Sequence, residues 1–527
     1  MCSLDDSLVG VGCNIPQHTH RYDRRENTTH MRRDLVFALL VAVAAYLLGI
    51  LLPSPPPPSD PAVATLDVRF HRHIVASEEL ALSSKGHFFR DRDMTFWSLF
   101  ADNFGANPST PYMFNTLPLL GFLLPSPVWS LGRRDAVVLI ARLPPRCEYF
   151  SITTYAMFWP RLPALPFASL GDSVNSKNIK HDDDGLFAYV VTGNKRTYDL
   201  VEAALVASGL SASAINLAAV PSDLGLFDDV FHLGGHLRLG TYFEVLARLF
   251  RFENQTAGDA YIHSHPPVYY LRANHEEDLG LASVAESAVY RDRFHPDAVD
   301  ENALSAAFAS HGRSVLRRIG DALVSADISP DERSARVDSL GSLPAVDFAP
   351  LKIIGIECLQ QRTKCLGDGP DCAYFAPHVR ADSDRFPLLR LRTDEELHLV
   401  TLVHHRRLNS SIYGSIAMVK PFPASSKTLS KSLMAVRATD LGVTSFEFNS
   451  TAPFVSWVFT RNAKHCEVLH RAGAVDGCSV VETSQVTREG YLTYCERVYL
   501  NPLTALGPHW DQLLPARLFH IGEGDLR

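Results

Sequence analysis

The 527 residues contain no Walker A sequence, no Rossmann glycine fingerprint and no HExxH. Those absences exclude the P-loop cradle for nucleotide phosphates, the dinucleotide-binding turn and the two-histidine zinc helix of many metalloproteases. None of the nine cysteines stands in a CxxC spacing. The paired short spacings of a zinc–thiolate site are therefore missing. Positive charge is not in excess: 50 Lys and Arg face 58 Asp and Glu, for a formal net charge of −8. No global field favours nucleic acid or an anionic membrane surface. No internal repeat of fixed period is visible.

One continuous apolar run lacks charge altogether. Leu35 to Leu52, LVFALLVAVAAYLLGILL, is eighteen residues without an ionisable acid or base. At 1.5 Å per residue such a helix spans roughly 27 Å, about one hydrocarbon core. Arg21, Arg24, Arg25, Arg32 and Arg33 precede it, and the next basic residue is Arg69. That asymmetry places residues 1–34 in the cytosol, as a disordered tail, and everything after residue 52 outside it. Two other readings compete. A core helix can be this apolar. A cleaved signal peptide could start at Met31 and end at Ala62-Val63-Ala64, although the run exceeds the usual 7–15 residues. Both the anchor and the signal peptide export the same region.

Pro53 to Pro61 (PSPPPPSDP) favours polyproline II, so residues 53–64 form a stalk. Beyond it the composition is globular, with 46% hydrophobic residues. Strands are expected over 136–143, 149–159, 187–193, 215–220, 351–357, 396–405, 412–420 and 452–460, where β-branched and aromatic residues concentrate. Residues 240–252 suit either a helix or an apolar strand, and NQTAGDA, from Asn254, reads as a turn. Helices are expected over 197–208 and 300–325. The latter carries Leu304, Phe308, Val315, Leu316, Ile319 and Leu323 on one face. The polar stretch 326–346 is expected to be a linker or loop. It separates a first region, 65–330, from a second, 346–527, that bears disulfides. The fold class is α+β or mixed α/β, behind a single N-terminal transmembrane helix.

PPRCEYFSITTY, FASLGDSVN, YVVTGNKRTYDLVEAAL, CLGDGPDCAYF and ERVYLNPLTALGP occur in this order. Together these segments resemble a group of exported algal and bacterial proteins of unknown function. The resemblance spans about residues 130–525. It implies one recurrent exported unit and carries no activity.

Several fragments could carry chemistry. Gly171-Asp172-Ser173 resembles the nucleophile block of SGNH-type esterases, which need a histidine base oriented by an acid. His232, in a DxxH spacing after Asp229, and His404 are the candidate bases. The competing explanation is a turn with Asp172 bonded to backbone. His263 and His265 would share one face of a strand and form two arms of a metal site, with His275, Glu276 or Glu277 as a third ligand. A surface pair explains them as well. Asp182-Asp183-Asp184 contains a DxD, but the polar NSKNIK before it suggests a solvated turn. No cofactor is indicated.

Seven cysteines follow the apolar run, and in an oxidising compartment they tend to pair. LGDGPD between Cys365 and Cys372 is rich in turn formers, so a Cys365–Cys372 disulfide is expected. Cys358 is the rival partner, but LQQRTK should continue as extended chain. Asn254, Asn409 and Asn449 head sequons on the exported side. Two functions fit these features. One is a type II membrane glycoprotein with a lumenal or extracellular hydrolase or transferase domain. The other is a non-catalytic binding glycoprotein of the cell surface or lumen. Apart from the membrane at 35–52, no partner is indicated.

Overall fold

Twenty-two strands and eight helices make up the described residues of the computed structural model. These residues run from 60 to 526, apart from 91–111, 120–123, 159–165, 276–280, 282–292, 378–388, 420–451 and a few shorter stretches. Ten strands come first: β1 (Leu80–Arg90), β2 (Tyr112–Leu119), β3 (Leu124–Ser126), β4 (Trp129–Ser130), β5 (Asp135–Arg142), β6 (Cys147–Phe158), β7 (Ala168–Ser169), β8 (Val174–Asn175), β9 (Leu186–Thr192) and β10 (Ile215–Ala219). A small hairpin, β11 (Phe231–Leu233) and β12 (Leu237–Leu239), precedes β13 (Tyr242–Phe252) and β14 (Pro267–Ala273). The second half holds β15 (Val346–Pro350), β16 (Cys372–Pro377), β17 (Leu397–Val403), β18 (Tyr413–Val419), β19 (Phe454–Thr460), β20 (Gly477–Val480), β21 (Thr493–Tyr499) and β22 (Arg517–Ile521). The helices are α1 (Pro61–Ala76), α2 (Lys195–Ala207), α3 (Gln255–Ile262), α4 (Ser305–Leu323), α5 (Pro330–Gly341), α6 (Gly355–Gln361), α7 (Ala463–Arg471) and α8 (Glu523–Leu526).

The strands form a twelve-stranded sheet, an eight-stranded sheet and the β11–β12 hairpin. The eight-stranded sheet runs β18-β21-β16-β15-β22-β17-β19-β20. The larger sheet contains the same arrangement, β6-β13-β2-β1-β14-β5-β9-β10, with β3, β4, β7 and β8 added to it. Numbered by chain order within each half, both sequences of neighbours read 4-7-2-1-8-3-5-6. The fold is therefore a duplication, which the sequence does not display. Every pairing is antiparallel except β9 with β10 and β19 with β20. A parallel pair needs a crossover, and α2 and α7 supply it at equivalent places. In each half a threonine–x–asparagine starts that helix. Thr192 Oγ1 donates to the Asp135 carbonyl, the Asn194 amide donates to Thr192 Oγ1, and the Asn194 side chain caps the Thr197 amide. Thr460, Asn462, Glu396 and Lys464 repeat the pattern.

Local structure follows the sequence closely in many places. β5, β6, β9, β10, β17, β18 and β19 occupy the expected strands, and β13 takes the strand alternative for 240–252. In α4, Phe308, Val315, Leu316 and Ile319 are buried as the periodicity requires. Other expectations are corrected. Most of 326–346 is helix α5, started by Ser329, which caps the Glu332 amide, and by Pro330 at its first position. The expected strand at 351–357 gives way to α6, and the turn after Asn254 is α3, capped by Asn254 itself.

Described residues all belong to one unit, 55–527. No helix among them is long and apolar enough to cross a membrane. The apolar run 35–52 lies outside the described residues.

Helix α6 also decides the disulfide. Cys358 sits in it, and a helix advances only about 1.5 Å per residue against about 3.3 Å for a strand. The chain therefore returns Cys365 to a Cα–Cα distance of 5.7 Å from Cys358, and these two are bonded. The Cys365–Cys372 expectation is corrected: Cys372 is a buried free thiol. A second disulfide joins Cys466 in α7 to Cys478 in β20. Cys147 and Cys495 are free. Non-reducing peptide mapping is expected to recover a linked Cys358–Cys365 peptide; a Cys365–Cys372 link would overturn the assignment. Closing so short a loop contributes only about 2–3 kcal/mol.

Candidate functional site

The two sheets meet through equivalent faces. Because side chains alternate along a strand, Arg248 and Phe250 of β13 point the same way. Arg248 lies between Tyr112 of β2 and Ser151 of β6. In the second half Arg497 of β21 lies between Tyr374 of β16 and Ser415 of β18. Tyrosine, arginine and serine thus recur at matched positions. Two residues further along, Phe250 pairs with Tyr149, and Tyr499 with Tyr413. These rings bind the halves: Phe250 stacks on Tyr413 with centroids 3.7 Å apart, and Tyr149 meets Tyr499 at 4.8 Å. Each contact is the other's counterpart under the duplication.

Charge is concentrated at this junction. Arg248 is 4% exposed. Its guanidinium donates to Tyr155 Oη and to Thr153 Oγ1 and lies over the rings of Tyr112 and Tyr155. The side chains it bonds and lies over are neutral; none is a carboxylate. Tyr112 and Tyr374 are within electrostatic reach of both Arg248 and Arg497. Buried Arg293 lies over Trp510 and donates to the Cys372 carbonyl. Burial lowers its pKa.

The turn LGDGPD delivers two carboxylates. Asp368 accepts from the Ser169 amide (2.9 Å), Ser169 Oγ (2.5 Å) and the Gly355 amide (2.9 Å). Burial raises its pKa against those three bonds. Asp371 Oδ2 accepts from Tyr149 Oη at 2.5 Å, and Tyr149 Oη is 2.7 Å from Ser151 Oγ. Asp371 is fully buried, and its Oδ1 has no hydrogen-bond partner. Burial pushes the phenols of Tyr149, Tyr155, Tyr374 and Tyr499 up, so near neutral pH they are donors and carry no charge. Tyr374, Phe114, Met157 and Phe167 are partly exposed. They give the junction an apolar, aromatic margin. The arrangement can hold an anion against fixed guanidinium and phenol donors.

The residues singled out by motif lie elsewhere. Ser173 is buried, and its hydroxyl accepts from Asn175 Nδ2 at 3.1 Å; no histidine bonds to it. Asp172 and the His232 side chain lie outside the described residues, although the His232 backbone pairs with Arg238 in the β11–β12 hairpin. His404 follows β17 in the other half of the fold, and its Nδ1 accepts from the Arg407 amide. Ser173 and His404 are therefore not brought into a nucleophile–base pair. His263 and His265 do not share a strand: His263 closes α3, and His265 sits at positive φ before β14 begins at Pro267. His275 Nε2 instead bonds Thr197 Oγ1, while Glu276 and Glu277 lie outside the described residues. No cluster of three metal-ligating side chains exists among the described residues. Asp182 accepts from the amides of Asp184 and Leu186, the hallmark of a turn. Asn254 and Asn409 are exposed, and Asn449 lies outside the described residues.

Sequence reasoning missed Arg248, Arg497, Asp368 and Asp371. A signal was present: an arginine recurring inside an apolar strand, in YFEVLARLFRF and again in YCERVYL, on the face that alternation turns inward.

His405 forms a second buried charge cluster. Its Nδ1 is 2.8 Å from Glu301 Oε1, and its Nε2 is 3.1 Å from Glu496 Oε1. Burial opposes protonation there, but the two carboxylates outweigh it and hold the imidazole pKa up at about 10. The remaining oxygens accept the Leu514 and Ala516 amides.

No family model and no curated protein matches the sequence. Among solved structures, an uncharacterised protein from Burkholderia cenocepacia aligns at 11% identity and a TM-score of 0.38, over 93% of this chain and 97% of its own. The VPA0106 protein from Vibrio parahaemolyticus aligns at 9% identity and a TM-score of 0.33, over 87% of this chain and 96% of its own.

Proposed function

We propose that this chain is a binding protein whose inter-repeat junction holds a small organic anion against Arg248. The observation that carries this reading is the environment of Arg248: a buried guanidinium among neutral oxygens and aromatic rings, with no carboxylate among its partners. Burying that charge costs several kcal/mol, and an anion bound against the guanidinium offsets part of it. The reading also includes the setting inferred above, a type II membrane glycoprotein anchored through 35–52. Supporting it are the uncharged run, the arginine asymmetry and the exposure of Asn254 and Asn409. Resistance to alkaline carbonate and a glycosidase mobility shift are expected; a soluble, unshifted protein from a eukaryotic host would overturn the setting.

The binding claim is tested by calorimetry and thermal melts with acetate, succinate, malate, phosphate and sulfate. At least one anion should raise the melting temperature, by the equivalent of about 2.7 kcal/mol at a hundredfold excess over Kd. Arg248→Met should abolish that shift, and Arg248→Lys should weaken it, because lysine keeps the charge but loses the planar fork. Absence of binding by the whole panel, or full binding by Arg248→Met, would overturn the proposal.

A further inference from the structure

The two halves differ where the chain enters them. Helices α1 and α4 are equivalents: each comes before the first strand of its half and packs with the crossover helix. Phe70 and Ile74 share one core with Val201 and Leu205, and Val315 and Ile319 share another with Leu469. In the second half the segment leading towards α4 lies against the connection between β21 and β22. Arg293 covers the Trp510 ring, and Phe294 meets His509 edge-on with centroids 5.9 Å apart. His295 exchanges two hydrogen bonds with the Gln512 side chain, and Asn302 Nδ2 donates to the Asp511 carbonyl at 2.7 Å.

The equivalent connection in the first half, between β13 and β14, carries α3. Beside it is a cavity of about 450 Å³, an ordinary volume for a binding cleft. Its walls include Pro61 and Val63 of α1, Pro144 and Pro145 after β5, and Ala260 and Tyr261 of α3. The Tyr261 hydroxyl donates to the Arg142 carbonyl at 3.0 Å, which fixes the ring in the wall. Asp60 lines the cavity too. Arg142 Nε holds its Oδ2 at 2.8 Å, and its Oδ1 caps the Ala62 and Val63 amides.

The described residues begin at this same Asp60. Its backbone stands at φ −81° and ψ 119°, the extended form that a following proline imposes. Helix α1 takes residues 61–64 of the expected stalk, so the chain reaching Asp60 is Pro55-Pro56-Pro57-Pro58-Ser59. Such a run favours polyproline II, which docks in apolar, aromatic-lined grooves. Proline has no N–H, so it enters an apolar cleft without stranding a donor. At about 3.1 Å per residue the five residues reach about 15 Å from the wall that Asp60 forms.

We propose that the cavity between α1, residues 143–145 and α3 is a polyproline groove, and that residues 55–59 of this chain occupy it. Their counterpart, 293–295, holds the matching position in the second half. Attachment at Asp60 gives the segment a millimolar effective concentration over any free competitor. This docking is independent of an anion at Arg248.

The test uses the full-length chain in detergent. With p-benzoylphenylalanine in place of Pro56, photolysis should crosslink that position to residues 143–145 or 257–264; crosslinks confined to other regions would overturn the proposal. In a second variant, Pro55→Gly, Pro56→Ser, Pro57→Gly and Pro58→Ser together remove the rings and the preformed helix. Hydrogen exchange should then rise at least ~3-fold across 257–262. The free peptide Ser-Pro-Pro-Pro-Pro-Ser-Asp, at millimolar concentration, should restore protection in the variant and leave the wild type unchanged. Unaltered exchange in the variant would sink the idea. Added protection of the wild type by the peptide would show a groove open to a proline-rich partner and so refute occupancy by residues 55–59. Should the second variant not fold, the crosslink decides.

Discussion

Replacing His405 with alanine is expected to lower stability by about 3–5 kcal/mol, because it leaves Glu301 and Glu496 facing each other, buried, without their shared counter-ion. The loss should appear as a lower denaturant midpoint at an unchanged m-value. Adding Glu301→Gln to His405→Ala should recover part of it by removing one of the two opposed carboxylates. The wild type carries the same cluster into its pH dependence. An imidazole pKa near 10 in the folded state lies above the ordinary value of 6.5. Folding therefore favours the bound proton. This contribution is complete below about pH 6.5 and is lost as pH rises from there through about 10. His398 acts in the opposite sense. Burial lowers its pKa to about 3, so stability from keeping it neutral is present above pH 6.5 and is lost as pH falls towards 3. Urea titrations from pH 4 to 10 should show stability falling on both sides of neutrality. In His405→Ala the alkaline arm should flatten; an unchanged alkaline arm would show that His405 is not the group responsible.

Asp368→Ala should cost about as much, roughly 3–5 kcal/mol, since it strands three donors in the interior. The location makes this loss consequential. Asp368 belongs to the second half of the chain, whereas Ser169 is in β7 of the first sheet. Around this pair the chain segments interlock: Cys365 and Gly367 donate their amides to Pro166 and Phe167. Ile356, Leu359 and the Cys358–Cys365 disulfide pack into the core of the first sheet. Gly355 is required here by close approach, because a Cβ would fall 2.3 Å from the Ser169 carbonyl. Asp368→Ala is therefore expected to loosen the junction as well as destabilise it. Hydrogen exchange should rise at Ser169 and Gly355 ahead of the remaining core, as local opening precedes global unfolding. Wild-type protection at those amides in a folded variant would refute this account.

Much of the local structure was legible in the residues. Apolar β-branched runs became β5, β9, β17 and β19, and the 3.6-residue spacing of Phe308, Val315, Leu316 and Ile319 became α4. Periodicity works there because each element buries one face, or both, regardless of its partner. Where turn and helix chemistry compete over a few residues, as at 255–262 and 355–361, composition misled. Asn254 started a helix where a turn was expected, and the short helix α6 redirected the disulfide.

The site was not legible by motif. A serine in GDS and a histidine pair in HSH have meaning only in a particular geometry, and the fold gives neither of them that geometry. The duplication was hidden for a related reason. The offset between equivalent residues drifts along the chain, from Tyr112 and Tyr374 to Arg248 and Arg497, so no fixed period exists. Few identities survive beyond the threonine–x–asparagine helix starts and the matched tyrosine, arginine and serine of the junction. By itself the sequence determined seven of the strands, the long helix and a mixed α/β class, because those follow from short-range patterning of side chains. Only the tertiary structure decided that two matching sheets face each other, and that arginines far apart in the chain share one buried junction with Asp368 and Asp371. Strand order and sheet packing bring together residues hundreds of positions apart, and no local propensity encodes that pairing.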